Sequence, residues 1–194
     1  MNKIVSKTIK YIFDSDYRFD INSNIGLYKL WPDEKYLKRK YRALIGKTLD
    51  LDNPKSFNEK IQWLKLYNQN PQYTVMVDKY LVRDYIANSL GEQYLIPLIG
   101  VWDKEEDIDF KSLPNQFVLK CNHNSGYGMY ICKNKLDMDV DCVRKNLQKG
   151  LEQDYYSINR EWPYKNIPRK IIAEALMSTK NGEDLRDYKL FCFN

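Results

Sequence analysis

The chain has 194 residues, of which 43% are hydrophobic, 14% aromatic and 29% charged, with 16 Tyr and 4 Trp. This is an ordinary globular mixture for one large domain or two small ones, which excludes disordered and collagen-like classes; a chain of this size buries about 70% of its unfolded surface without staples. The formal net charge is +5, and residues 1–48 hold 11 Lys/Arg against 5 Asp/Glu while the rest holds 20 against 21, so the positive excess lies in the N-terminal quarter.

Residues 1–13 place Ile4, Thr8, Ile9 and Ile12 near helical spacing, with Lys3, Lys7 and Lys10 on the other face. This short basic amphipathic segment suits either a surface helix over the core or weak peripheral contact with an anionic membrane. Lys38-Arg39-Lys40 reads as a solvated helix face. Without a larger basic stripe or a recognisable motif, no nucleic-acid partner is expected. Ser56-Phe57-Asn58-Glu59 is a capping box that opens a helix to about Tyr67, with Phe57, Ile61 and Leu64 on one face. Asn68 to Pro71 breaks it.

A second helix is predicted from about Asp78 to Leu90, capped by Asp78, with Leu81, Tyr85 and Ile86 inward and Gly91 past its end. The period then changes. Tyr94–Trp102 reads as a buried extended segment. Phe117–Cys121 is a strand with Phe117, Leu119 and Cys121 on one face and Val118 and Lys120 on the other. Met129–Cys132 is the return strand. Residues 139–152 form a helix with Val140, Val143, Leu147 and Leu151 inward; Lys170–Met177 is a strand, and Tyr188–Phe193 begins another. The chain stops at Asn194 as though in mid-domain. The fold class is α+β, helical for the first 90 residues and mixed after that. The expected domains are a basic helical region, 1–53, and a partial domain, 54–194, whose nucleotide-binding lobe covers about 115–177.

Several chemistries are disfavoured. Cys121, Cys132, Cys142 and Cys192 form no C-x-x-C pair and His123 is the single histidine, whereas a structural zinc site needs about four close nitrogen or sulfur ligands. No metal ligand is assigned, and a Ser-His-Asp or Cys-His centre would rest on His123 alone. The thiols read as reduced and cytosolic. The first 13 residues lack the apolar core of a signal peptide. The longest apolar stretch, Tyr94–Trp102, contains Pro97 and Gly100 and falls far short of the roughly 20 residues of a membrane span. The expectation is a soluble cytoplasmic protein, at most peripheral to the membrane.

The richest stretch is Phe117 to Cys132. A strand delivers Lys120, a small polar loop with Gly126 and Gly128 follows, and a second strand returns. Such a loop can turn its backbone N–H groups toward phosphate oxygens, because glycine permits φ > 0 and close approach. A plain turn fits the same residues. Lys79, at a predicted helix N-terminus, suits an anion, and Glu174 is a lone carboxylate in an apolar strand that must find a partner or face a cleft. Arg160-Glu161-Trp162-Pro163-Tyr164 reads either as an aromatic turn packed on the core or as a segment facing a ligand.

Taken in order, the blocks DKYLVRDYI, EQYLIPLIGVW, LPNQFVLKCNHNSG, REWPYKNI, IIAEAL and DLRDYKLFCFN resemble the TupA-like ATP-grasp proteins of bacterial polysaccharide and teichuronopeptide loci, over residues 54–194. The resemblance implies a ligase that holds ATP between two β-rich lobes and activates a carboxylate as an acyl phosphate for attack by an amine. It implies that Lys79 and Lys120 contact ATP phosphates. The loop with Asn122, Ser125, Gly126 and Gly128 would cover them. Glu174 and the backbone of Ala175 and Met177 would meet the adenine, Asp187 the ribose, and Lys189 would face the phosphate as the catalytic cation. It further implies Mg²⁺, with ligands in a part of the family beyond the DYKLFCFN strand; Asp184 and Asp187 are too early to serve. The implied setting is capsular or cell-surface polysaccharide assembly on a polysaccharide or peptide-linked acceptor, in the cytoplasm at the inner face of the membrane. Two other readings stand beside it. One is a glycosyltransferase or accessory protein of such a locus, using Asp107-Ile108-Asp109 or Asp137-Met138-Asp139 as a D-x-D site. The other is a non-catalytic remnant.

Overall fold

The computed structural model describes residues 3–178 and 188–191. Among them the helices are α1 (Lys3–Phe13), α2 (Ser15–Asn24), α3 (Asp33–Ile45), α4 (Phe57–Tyr67), α5 (Pro71–Val77), α6 (Val82–Ser89), α7 (Val140–Glu152) and α8 (Tyr155–Asn159). The strands are β1 (Leu98–Trp102), β2 (Phe117–Cys121), β3 (Met129–Cys132) and β4 (Ile171–Ala175). The fold is α+β, as the periodicity predicts. The chain divides into two compact units, Met1–Asp78 with Asp154–Ile167, and Lys79–Gln153 with Pro168–Asn194.

The first unit is helical. Its core gathers Phe19, Tyr36, Leu37, Tyr41, Leu49 and Leu51, with Phe19 stacked on Tyr28 at 4.7 Å between ring centroids. Arg160 pins this core from the second chain segment. It is 3% exposed, lies over the Tyr36 ring at 4.5 Å, and donates to the carbonyls of Tyr28 and Lys29 at 2.9 and 3.0 Å. Its φ of 54° ends α8 in the left-handed region. The capping box at Ser56 forms as predicted: Glu59 N–H reaches the Ser56 hydroxyl, and the Glu59 carboxylate takes the Ser56 N–H at 2.8 Å. In α1, Val5, Ile9, Ile12 and Phe13 are exposed. Among the described residues no helix is long and apolar enough to cross a membrane.

The second unit is built on one antiparallel sheet, ordered β1-β4-β2-β3. The alternation in β2 is as the sequence requires: Phe117, Leu119 and Cys121 are buried, and Val118 and Lys120 are half-buried. Ile171 and Ala173 of β4 join them over Val143 and Leu147 of α7. The even-numbered residues of β2 and β4 share the opposite face. Four expectations are corrected. No helix starts at Asp78: that residue ends α5, and the next helix begins at Val82, because the backbone N–H of Asp78 is taken by the Thr74 carbonyl. Tyr85 is not inward but 41% exposed. Tyr94–Trp102 is shorter and more open than read: only Leu98–Trp102 is a strand, with Leu98 exposed, since β1 is an edge paired on β4 alone. At the other end, Tyr188–Phe191 is exposed and has no strand, and Cys192 and Phe193 lie outside the described residues.

Burial sets the chemistry of the thiols. Cys121, 1% exposed, has its pKa pushed up from 9.0 to about 12 by desolvation, and burial raises Cys132 as well. Iodoacetamide at neutral pH is therefore expected to modify the exposed Cys142 and spare Cys121 and Cys132, because only the thiolate reacts. Peptide mapping by mass spectrometry reads this out. The native state holds the Cys121 proton more tightly than the unfolded chain, so the contribution is present below pH 9.0 and is lost as pH rises toward about 12. Rapid native labelling of Cys121 would contradict this burial.

Candidate functional site

Lys120 and Glu174 of the second unit lie on the sheet face away from α7. In the β2–β4 register Lys120 lies opposite Ile172 and Val118 opposite Glu174, which makes Lys120 and Glu174 diagonal neighbours on one face. Their side chains meet, Lys120 Nζ to Glu174 Oε2 at 2.5 Å. Glu174 is 5% exposed, and its other oxygen is taken by Arg83 Nη1 at 3.0 Å. Arg83 also donates to the Ile96 carbonyl at 2.7 Å. One buried carboxylate thus holds two cations, a local excess of one positive charge. Arg83 is a residue the sequence reading passed over, although it stands four positions after Lys79 in the same DKYLVRDYI block.

Lys79 sits at the base of the β2–β3 loop. Its ammonium donates to the carbonyls of Asn122, at 3.3 Å, and Asn124, and its backbone N–H also reaches Asn122 O at 3.2 Å. The loop is anchored elsewhere too. The Asn122 side chain accepts from Lys170 N–H at 2.8 Å and donates to Pro168 O at 2.9 Å, so it ties the loop to the chain entering β4. His123 is buried and bonds the Gln153 carbonyl through Nε2 at 3.2 Å, which makes that nitrogen the donor. Asn124, 2% exposed, donates to Gly150 O at 2.6 Å and leaves its buried Oδ1 without a partner.

Beyond these anchors the loop rises into solvent. Ser125, Gly126 and Tyr127 are exposed. Gly126 has φ +84°, and a β-carbon placed there meets nothing within 4 Å, so the backbone of the tip is open to approach. Gly128 is different. With φ +64°, its β-carbon would meet Cys121 Sγ at 2.5 Å and the backbone of Gly150 at 2.8 Å. The loop returns to β3 through a contact only two glycines allow, and nothing in the sequence marked Gly150 as its counterpart.

The remaining predicted residues are less closely grouped. The Ala175 N–H donates to Pro97 O at 3.0 Å and extends the β1–β4 ladder. Met177 lies beyond the strand and is exposed. Lys189 is exposed in the 188–191 stretch, and among the described residues no hydrogen bond or ion pair ties it to the Lys120 cluster. Asp187 lies outside the described residues. The two D-x-D segments serve local structure: Asp109 accepts from Lys111 N–H, Asp137 from Asn134, and Asp139 caps α7. Among the described residues no group of three or more His, Cys, Asp or Glu is placed to hold a metal ion.

The second unit thus sets one lysine at the end of β2, below a glycine-containing loop, and a second lysine at the loop's base. The family model described as TupA-like ATPgrasp matches residues 59–194, and the chain belongs to that family. Membership brings an ATP-grasp, ligase-like role and ATP as the nucleotide, with Mg²⁺ typical. No curated protein and no solved structure matches the chain.

The residues present fit the phosphate end of such a nucleotide. Lys79, and Lys120 paired within a cluster of net positive charge, supply cations, and the open backbone at Gly126 supplies room for an anion to approach.

Proposed function

We propose that this protein is an ATP-dependent carboxylate–amine ligase of cell-surface or capsular polysaccharide assembly. Its acceptor is polysaccharide or peptide-linked, and it works in the cytoplasm at the inner face of the membrane. The observation that carries the nucleotide part is the β2–β3 loop, held at its base by Lys79 and open at Gly126. ATP supplies the phosphoryl group that activates the carboxylate. This chain's own residues bind and orient it. Lys79 fixes the loop and adds charge beneath it, and Lys120 presents an ammonium at the end of β2. Arg83 keeps Glu174 neutralised so that Lys120 can turn part of its donor set to phosphate. Met177, two residues past the end of β4, offers backbone outside the ladder for an adenine edge. The polysaccharide setting rests on similarity to TupA-like proteins, and the membrane placement on the exposed apolar residues of α1 among its lysines.

Calorimetric titration with ATP, with and without Mg²⁺, tests this reading. Lys79→Ala is expected to weaken binding about tenfold or more, since it removes a charge-assisted contact and the clamp on the loop. Unchanged affinity in that variant would remove Lys79 from the site. Co-sedimentation with anionic vesicles tests the membrane placement, which fails if neutral vesicles carry down as much protein.

A further inference from the structure

The nucleotide site leaves Glu161-Trp162-Pro163-Tyr164 unused. In the first unit α4, α5 and the short 3₁₀ turn Trp162–Tyr164 line an open cavity of about 490 Å³, within the range of small-molecule sites. Ile61, Leu64, Val77 and Tyr164 give it apolar walls, and Lys65 and Glu161 bring two opposite charges to it.

Those charges form a loose ion pair without a hydrogen bond between them. Lys65 Nζ stands 3.9 Å from Glu161 Oε1, well beyond the roughly 2.7–2.9 Å of a charge-assisted hydrogen bond. The Lys65 side chain is 18% exposed, and burial pulls its pKa down. Among the described residues it donates to the Asn159 carbonyl at 3.1 Å, although an ammonium carries three donors. A largely buried cation with an incomplete donor set is costly until an acceptor arrives. Glu161, one-third exposed, puts a carboxylate beside it.

We propose that this cavity is a binding site for an α-amino acid, its carboxylate on Lys65, its α-amino group on Glu161 and its side chain against Ile61, Leu64, Val77 and Tyr164. An α-amino acid carries both charges on one carbon, so the two reach a cation and an anion held side by side. A simple carboxylate would bring a second negative charge against Glu161, and a simple amine a second positive charge against Lys65. The pair therefore rejects singly charged relatives as well as attracting the zwitterion. The site is built from the first unit alone and does not depend on the ligase reading.

The test is calorimetry on the full chain with each standard L-amino acid in turn. The tightest binder is then compared with the amine lacking its carboxylate and the acid lacking its amino group. At least one amino acid is expected to bind, with both relatives about tenfold weaker or worse. Lys65→Met should abolish the preference over the amine, and Glu161→Gln the preference over the acid. The comparison of relatives needs no variant, so it stands even if one misfolds, and circular dichroism of the same samples reports folding. Failure of every amino acid to bind a protein that binds ATP overturns the site and leaves the ligase reading intact. Equal binding of amino acid and amine overturns it as well. Amino-acid binding without ATP binding supports the site and sinks the nucleotide reading instead.

Discussion

Lys120→Ala is expected to raise the Kd for ATP by about ten- to a hundredfold while leaving the protein folded. The magnitude follows from losing a hydrogen bond to a charged group, about 1.5–3 kcal/mol, at about 1.4 kcal/mol per factor of ten. Folding should survive because Arg83 stays on Glu174 at 3.0 Å, so the buried carboxylate keeps a partner when Lys120 goes. Lys120→Arg separates charge from shape. It retains the cation but replaces a compact ammonium by a planar fork, and so is expected to recover part of the affinity. Calorimetry measures both variants, and circular dichroism confirms the fold. Wild-type affinity in Lys120→Ala would mean that this lysine serves only its ion pair with Glu174.

How much of this was legible in sequence depended on how local each determinant is. The capping box at Ser56 and Glu59 was, because both partners lie within one turn. The alternation of β2 was, because its period is set by the strand itself. Asp78 misled for the same reason: an aspartate before an apolar run is a cap by pattern, and only the tertiary path shows that it closes α5. The cluster around Glu174 was the least legible part. Arg83 lies 91 residues from its partner, and the approach of Lys120 requires the β2–β4 register, which no local pattern encodes. The Gly128–Gly150 contact is of that kind too. Arg160-Glu161-Trp162-Pro163-Tyr164 was ambiguous because it does two things: its arginine pins the helical core, and its glutamate and tyrosine face a cavity.

Glu174→Ala is expected to destabilise the second unit by about 3–5 kcal/mol, the cost of removing one member of a buried charge network. The wild-type carboxylate is 5% exposed and holds Arg83 and Lys120, whose side chains are 14% and 24% exposed. Without it, two largely buried cations are left beside the same face of the sheet with no anion between them. Combining Glu174→Ala with Arg83→Ala should cost less than the sum of the single changes, because the second substitution removes one of the stranded charges. Urea denaturation of the three variants measures this coupling. Its sign bears on the nucleotide site, because a carboxylate held by two cations acts by positioning Lys120, whereas one free to meet an adenine contributes little to stability. A loss below about 1 kcal/mol in Glu174→Ala, well under the range for a broken buried pair, would place the carboxylate with the ligand. A loss near the expected value makes it the fixed point from which β2 presents its lysine to phosphate.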